Sequence, residues 1–163
     1  MSDLASEIKN ETIFQHRILS AHLESDLNEV YRYAGIFGKD NFSPDQQLSK
    51  LAEDSVKEIR EAMNPRSVYI RFPLKITESD QITYDGKSLY DISFGNVNFS
   101  SHFLGLNLQD CNAIYLFAAT LGPAVDKAIQ KASRINAAKA VMLQASGAMF
   151  IEKYCDCLME FLS

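Results

Sequence analysis

Ala113-Ile114-Tyr115-Leu116-Phe117-Ala118-Ala119, followed by Thr120-Leu121-Gly122-Pro123, is the stretch on which the fold turns. The first seven residues form a nearly continuous apolar run of strand length and predict a central, buried strand. Gly122 permits a sharp bend, and Pro123 suits the first position of a helix that carries Val125, Ile129 and Ala132 inward. A strand, a tight corner and a helix are therefore expected in that order.

Downstream, residues 136–163 open on Asn136, a good N-cap, and continue with unbroken helical propensity. The first half is built from small residues, among them Ala137, Ala138, Ala140, Ala145, Ser146, Gly147 and Ala148. Gly147 costs a helix about 1 kcal/mol relative to alanine, so its use predicts a buried helix approached closely by another backbone.

Upstream, Ser100 or Ser101 is placed to cap a short helix reaching Leu106. Before that, Asp85-Gly86 between Ile82-Thr83-Tyr84 and Lys87-Ser88-Leu89 predicts a tight β-hairpin turn. From Ser67 onward Val68, Ile70, Phe72, Leu74 and Ile76 alternate with Tyr69, Arg71, Pro73 and Lys75, the pattern of a half-buried strand. Pro73 lacks a ladder donor and favours an edge position. A helix is predicted over residues 43–62, with Ser43 as N-cap, Pro44 at the first helical position and Gln46 completing a capping box; Asn64-Pro65 stops it. Residues 3–31 space Ile8, Ile13, Phe14, Ile18, Leu19, Leu23, Leu27 and Val30 as in one or two amphipathic helices, ended by a turn at residues 33–38.

With 163 residues, 47% of them hydrophobic, the chain has the size of one domain with one substantial core. The division expected is a single domain over residues 1–163, with a helical segment at 1–35 leading into a core at 43–163. Sixteen basic against 21 acidic side chains leave a net charge of -5, which argues against a nucleic-acid partner. No basic-then-apolar leader opens the chain and no apolar run spans a bilayer, so a cytoplasmic protein without a membrane partner is expected. Three cysteines, Cys111, Cys155 and Cys157, cannot all pair within one chain and fit a reducing compartment.

Taken in order, these elements resemble the activation-domain-like family of cobalamin-dependent methionine synthase. The match is carried by residues 116–126, Leu-Phe-Ala-Ala-Thr-Leu-Gly-Pro-Ala-Val-Asp, and by residues 65–74 as the family's first strand. Asp110-Cys111-Asn112 matches its polar turn, residues 144–148 its small-residue patch, and residues 31–35 its entry segment. The resemblance implies an α+β fold: a mixed or antiparallel sheet with flanking helices and a long, small-residue-rich C-terminal helix. It also implies a role in reactivating or docking to a corrinoid-dependent methyltransferase, with S-adenosylmethionine as ligand and cobalamin reached only through a partner. That partner would be a corrinoid-binding protein or a methyltransferase subunit. The family's cosubstrate motif, an arginine followed by Gly-Tyr-Pro, lies beyond the long helix, and its absence before Ser163 implies a member without the C-terminal half.

Candidate site residues follow. The Thr120 to Pro123 corner offers free N–H groups to an anion, against the alternative of a plain strand-to-helix connection. Glu152, Asp156 and Glu160 form a like-charged row at i, i+4 and i+8, either a solvated face or a receptor for a cation. By resemblance, the acidic cosubstrate contact falls on Glu160 or on Glu152. Cofactor-binding positions are therefore Glu160, Glu152, Thr120 and Gly122, and no catalytic residue or metal ligand is expected. Cys155 and Cys157 point roughly 200° apart on a helix and cannot share an ion. His16, His22 and His102 lack zinc-pair spacing, and nucleotide, dinucleotide and hydrolase fingerprints are absent. A second reading is a non-catalytic assembly module, homo-oligomers included, because residues 158–163 stay apolar to the last turn.

Overall fold

The computed structural model of the protein describes residues 12–36 and 43–163. It has α+β architecture and falls into two compact units. The first unit takes Gln15–Val68 and Ala118–Ser163; the second takes Tyr69–Phe117 with the described N-terminal residues through Phe14.

The first unit is helical around one apolar core. Its helices are α1 (Leu27–Tyr33), α2 (Gln46–Ala62), α4 (Pro123–Ser133) and α5 (Ala137–Leu162); α3 belongs to the second unit. Ala52, Val56 and Ile59 of α2 meet Leu143, Phe150 and Tyr154 of α5 in this core. Each large side chain removed from water there contributes about 1.5–3 kcal/mol. The small-residue prediction for the last helix is met in its middle: Ala145, Ser146 and Gly147 are buried, Ala140 and Ala148 are half-buried, and Ala137 and Ala138 in the first turn are exposed. A Cβ on Gly147 would stand 3.7 Å from Val125 Cγ1, so α4 rides close on this surface.

Two expectations are corrected in this unit. The one or two helices read across residues 3–31 give way, over the described positions, to strand β1 (Phe14–His16), a 3-10 turn at Ser20–His22 and α1; residues 1–11 lie outside the described residues. The cause is Arg60, whose Nη1 donates to the carbonyls of Ser20 and Leu23 at 2.8 and 2.7 Å, acceptors that a continuous helix would have used itself. Asp26 then starts α1 afresh by accepting from the Asn28 N–H. Gly35, at φ 75°, ends it in the αL cap: Gly35 N–H donates to the Arg32 carbonyl and Ile36 N–H to that of Tyr31. The rest of the turn expected at residues 33–38 lies outside the described residues. Second, the cap of α2 is Asp45, accepting from Leu48 N–H at 2.8 Å, rather than Ser43, so Pro44 precedes the helix and Gln46 opens it instead of completing a capping box. A carboxylate at this end also complements the helix dipole.

The strands β1, β2 (Arg66–Pro73) and β6 (Ala113–Thr120) form a sheet in the order β1-β2-β6. The strand expected from Ser67 through Ile76 breaks at Leu74, whose N–H donates to the Asn112 carbonyl, and β3 (Lys75–Ile82) starts beyond it. β2 is central in its sheet, not an edge; Pro73 is its last residue, where a missing donor interrupts no inner rung. The expectation of a buried central strand at residues 113–119 is met in part. β6 lies in the sheet but closes its order, and Tyr115, Leu116 and Phe117 remain 37%, 42% and 43% exposed. An apolar run on both faces does not reveal how many neighbours cover it.

The second unit carries an antiparallel sheet, β3-β4-β5, with β4 at Ser88–Phe94 and β5 at Val97–Ser101. The hairpin predicted at Asp85-Gly86 joins β3 to β4, with Gly86 at φ 81°. Ser101 Oγ accepts from Leu104 N–H and caps α3 (His102–Leu108). Gly105 of α3 lies against Tyr90 of β4 so closely that a Cβ would fall 2.4 Å from the Tyr90 Cβ. No described helix is long and apolar enough to cross a membrane.

Candidate functional site

Within the first unit, residues 15–17, 66–68 and 118–120 line one open cleft of about 520 Å³. These are the end of β1 with the residue after it, the start of β2 and the end of β6, so the cleft sits at one end of the strands. Local chemistry sets their positions. Met63 caps α2 in an extended conformation, Pro65 is buried, and Asn64 N–H donates to the Leu121 carbonyl at 2.7 Å, tying the start of β2 to the end of β6. Gly122 turns the chain away at φ 92° and ψ 158°, a region essentially restricted to glycine. Its N–H donates to Thr120 Oγ1 at 3.0 Å, which fixes the threonine on the cleft wall.

One wall is tied to the C-terminal helix. The Tyr154 hydroxyl lies 2.9 Å from the His16 carbonyl oxygen and 3.0 Å from Ser67 Oγ. A phenol has one proton and the carbonyl can only accept, so Tyr154 donates to His16 and Ser67 donates to Tyr154. Burial pushes the Tyr154 hydroxyl pKa up, and the Ser67 hydrogen bond partly offsets the rise. The His16 ring stacks on Phe161, with centroids 4.5 Å apart. Its Nδ1 is buried and has no hydrogen-bond partner among the described residues.

The cleft has a charge sign. Arg17 and Arg66 line it and no carboxylate does. Arg17 Nη2 donates to the neutral Asn64 Oδ1 at 2.7 Å, and neither arginine forms an ion pair among the described residues. Val68, Ala118 and Ala119 supply an apolar wall beside these cations.

No protein-family model matches the chain, and no curated protein matches its sequence. Among solved structures, the crystal structure of the MetH reactivation domain bound to AdoHcy superposes with a TM-score of 0.55 at 14% identity, covering 93% of this chain. The chain shares its fold with the MetH reactivation domain. It spans about half of that structure's length, 55% of the other chain.

Set on this MetH-like fold, the site residues expected from sequence fall into two groups. Thr120 and Gly122 are joined by the hydrogen bond above, with Thr120 on the cleft and Gly122 buried behind it. Glu152, Asp156 and Glu160 lie exposed on α5, and none makes an ion pair among the described residues. Glu160 is sequence neighbour to Phe161, the residue stacked on His16, whereas Glu152 lies two turns away along the helix. Burial, then Glu152 and Asp156, push the Cys155 thiol pKa up. Cys111, Cys155 and Cys157 are all free thiols. No cluster of metal-ligating side chains occurs among the described residues.

The cleft-lining His16, Arg17, Arg66 and Ser67, and the Tyr154 that fastens two of them, carry no sequence signature. The available clue is Arg66 following Pro65: a cation placed at the first position of a strand, beside a helix stop.

Proposed function

We propose that this chain acts as a reactivation or docking module for a corrinoid-dependent methyltransferase, taking S-adenosylmethionine as ligand and meeting cobalamin only through its partner. The observation that carries this reading is the fold shared with the MetH reactivation domain across 93% of the chain, that neighbour being bound to AdoHcy. Glu160, with Glu152 as the alternative, is proposed to face the sulfonium or amino group, and Thr120 and Gly122 to form the corner beside the ligand. An exposed carboxylate row without cationic partners among the described residues suits a cationic ligand, since like charges at i, i+4 each cost a few tenths of a kcal/mol until one is neutralised. The partner would be a corrinoid-binding protein or methyltransferase subunit.

Isothermal titration of the chain with S-adenosylmethionine and AdoHcy, alone and with a cobalamin-loaded corrinoid protein, tests the reading. Saturable heat that weakens in Glu160→Gln is expected. Absence of heat in every combination would remove it.

A second reading, a non-catalytic assembly module, is favoured by the half-exposed Tyr115 and Phe117, which stand on one face of β6, since exposed apolar surface of this kind marks interfaces. Light scattering separates the two: a mass that rises with concentration in the absence of any ligand supports assembly.

A further inference from the structure

We propose that the cleft between the ends of β1, β2 and β6 is a binding site for a small organic oxyanion, a carboxylate or phosphate monoester with an apolar body. The proposal stands on the cleft's own arginines and apolar wall; it shares Thr120 with the corrinoid reading but does not require that reading to hold.

Charge comes first. In a chain of net charge -5, two guanidinium groups, Arg17 and Arg66, line one cavity with no carboxylate among its walls and no ion-pair partner among the described residues. Two guanidinium forks lining one concavity without a carboxylate beside them make that surface electropositive and offer paired donors to an incoming anion. Arg17 is also oriented: one of its five N–H donors is spent on the neutral Asn64 Oδ1, which fixes the fork and leaves its charge intact.

Hydrogen-bonding capacity points the same way. Thr120 Oγ1 already accepts from Gly122 N–H, so its own proton is free to donate.

Shape and polarity supply the rest of the ligand. Val68 is 42% exposed on a strand whose preceding residue, Ser67, is buried, so its branched side chain faces open space. With Ala118 and Ala119 it forms an apolar surface suited to a flat or aliphatic body. The volume of about 520 Å³ is that of a small-molecule site.

The test titrates the full chain, observed by amide NMR, with benzoate, phenyl phosphate, inorganic phosphate and the neutral isostere benzamide. Benzoate or phenyl phosphate should shift the amides of residues 66–68 and 118–120 saturably, and whichever binds more tightly assigns carboxylate or phosphate as the headgroup. Inorganic phosphate, lacking the apolar body, should bind more weakly than phenyl phosphate. Arg66→Gln should weaken binding by roughly tenfold or more, the scale of one charge-assisted hydrogen bond, with Arg66→Lys intermediate. Arg66 is exposed, and an unchanged thermal midpoint would show that the variant folds. Benzamide binding as well as benzoate, full affinity in folded Arg66→Gln, or no shift at these amides with any anion would each overturn the proposal; the benzamide comparison needs no variant at all.

Discussion

Replacing Tyr154 with phenylalanine removes one oxygen and, with it, two hydrogen bonds that join segments far apart in the chain: to the His16 carbonyl, 138 residues away, and to Ser67, 87 residues away. Tyr154 has no exposed surface and Ser67 is only 4% exposed, so water cannot readily replace what is lost. At about 0.5–1.5 kcal/mol per bond, with unmet partners left behind, Tyr154→Phe should destabilise the protein by about 1–3 kcal/mol. For a chain of this length each kcal/mol lowers Tm by about 2–4 °C. Urea unfolding followed by far-UV circular dichroism should show the midpoint fall with unchanged slope. The double variant Tyr154→Phe/Ser67→Ala should cost less than the sum of the single changes, because removing both partners leaves fewer stranded groups. A single-variant loss under about 0.3 kcal/mol, or strict additivity, would refute the account of the cleft wall as fastened by this hydroxyl. The raised Tyr154 pKa adds a pH signature. A group whose folded pKa exceeds its unfolded value of 10.0 contributes stability that is complete below pH 10.0 and declines as pH rises through the folded pKa. Wild type should lose this contribution there, and Tyr154→Phe should not.

Three further outcomes are expected. Gly122→Ala should cost about 1–3 kcal/mol by denaturant unfolding through backbone strain alone, because the new Cβ would meet Asn64 atoms at an ordinary 3.6 Å. Gly105→Ala should destabilise the second unit by about 1–3 kcal/mol for the opposite reason, crowding at 2.4 Å from Tyr90 at an unstrained backbone, visible as faster hydrogen exchange in β4. Iodoacetamide near neutral pH should modify exposed Cys111 well before Cys155, whose raised pKa leaves less thiolate; Glu152→Gln should speed Cys155, and an unchanged rate would discount the carboxylate's effect.

Local signals were readable where one segment dictates its own conformation. Asp85-Gly86 marks its hairpin, Ser101 its short helix, and Ala145-Ser146-Gly147 the buried middle of α5. Strand β5 shows a weaker version of the same signal: Gly95-Asn96 separates Phe94 from its partner Val97, a two-residue turn that flanking polar residues obscure. The start of β2 was misread by one residue of phase. Alternation predicts Val68 inward, but Ser67 is the buried residue because Tyr154 offers it a partner from the C-terminal helix, and such partners are invisible to periodicity. The cleft was illegible for the same reason, since its residues come from three segments separated by about fifty positions each and two of them are ordinary exposed arginines. The corner at Gly122 is legible as a corner because its backbone conformation needs glycine whatever surrounds it.

The Tyr154 link to His16 also has a consequence in time. On a ribosome adding roughly 5–20 residues per second, the partner for a strand completed at His16 is not synthesised until roughly 7–28 s later, given the 138-residue separation. Through that interval the beginning of the chain must wait without its fastening, and nascent-chain truncations ending before Tyr154 should leave it open to proteolysis.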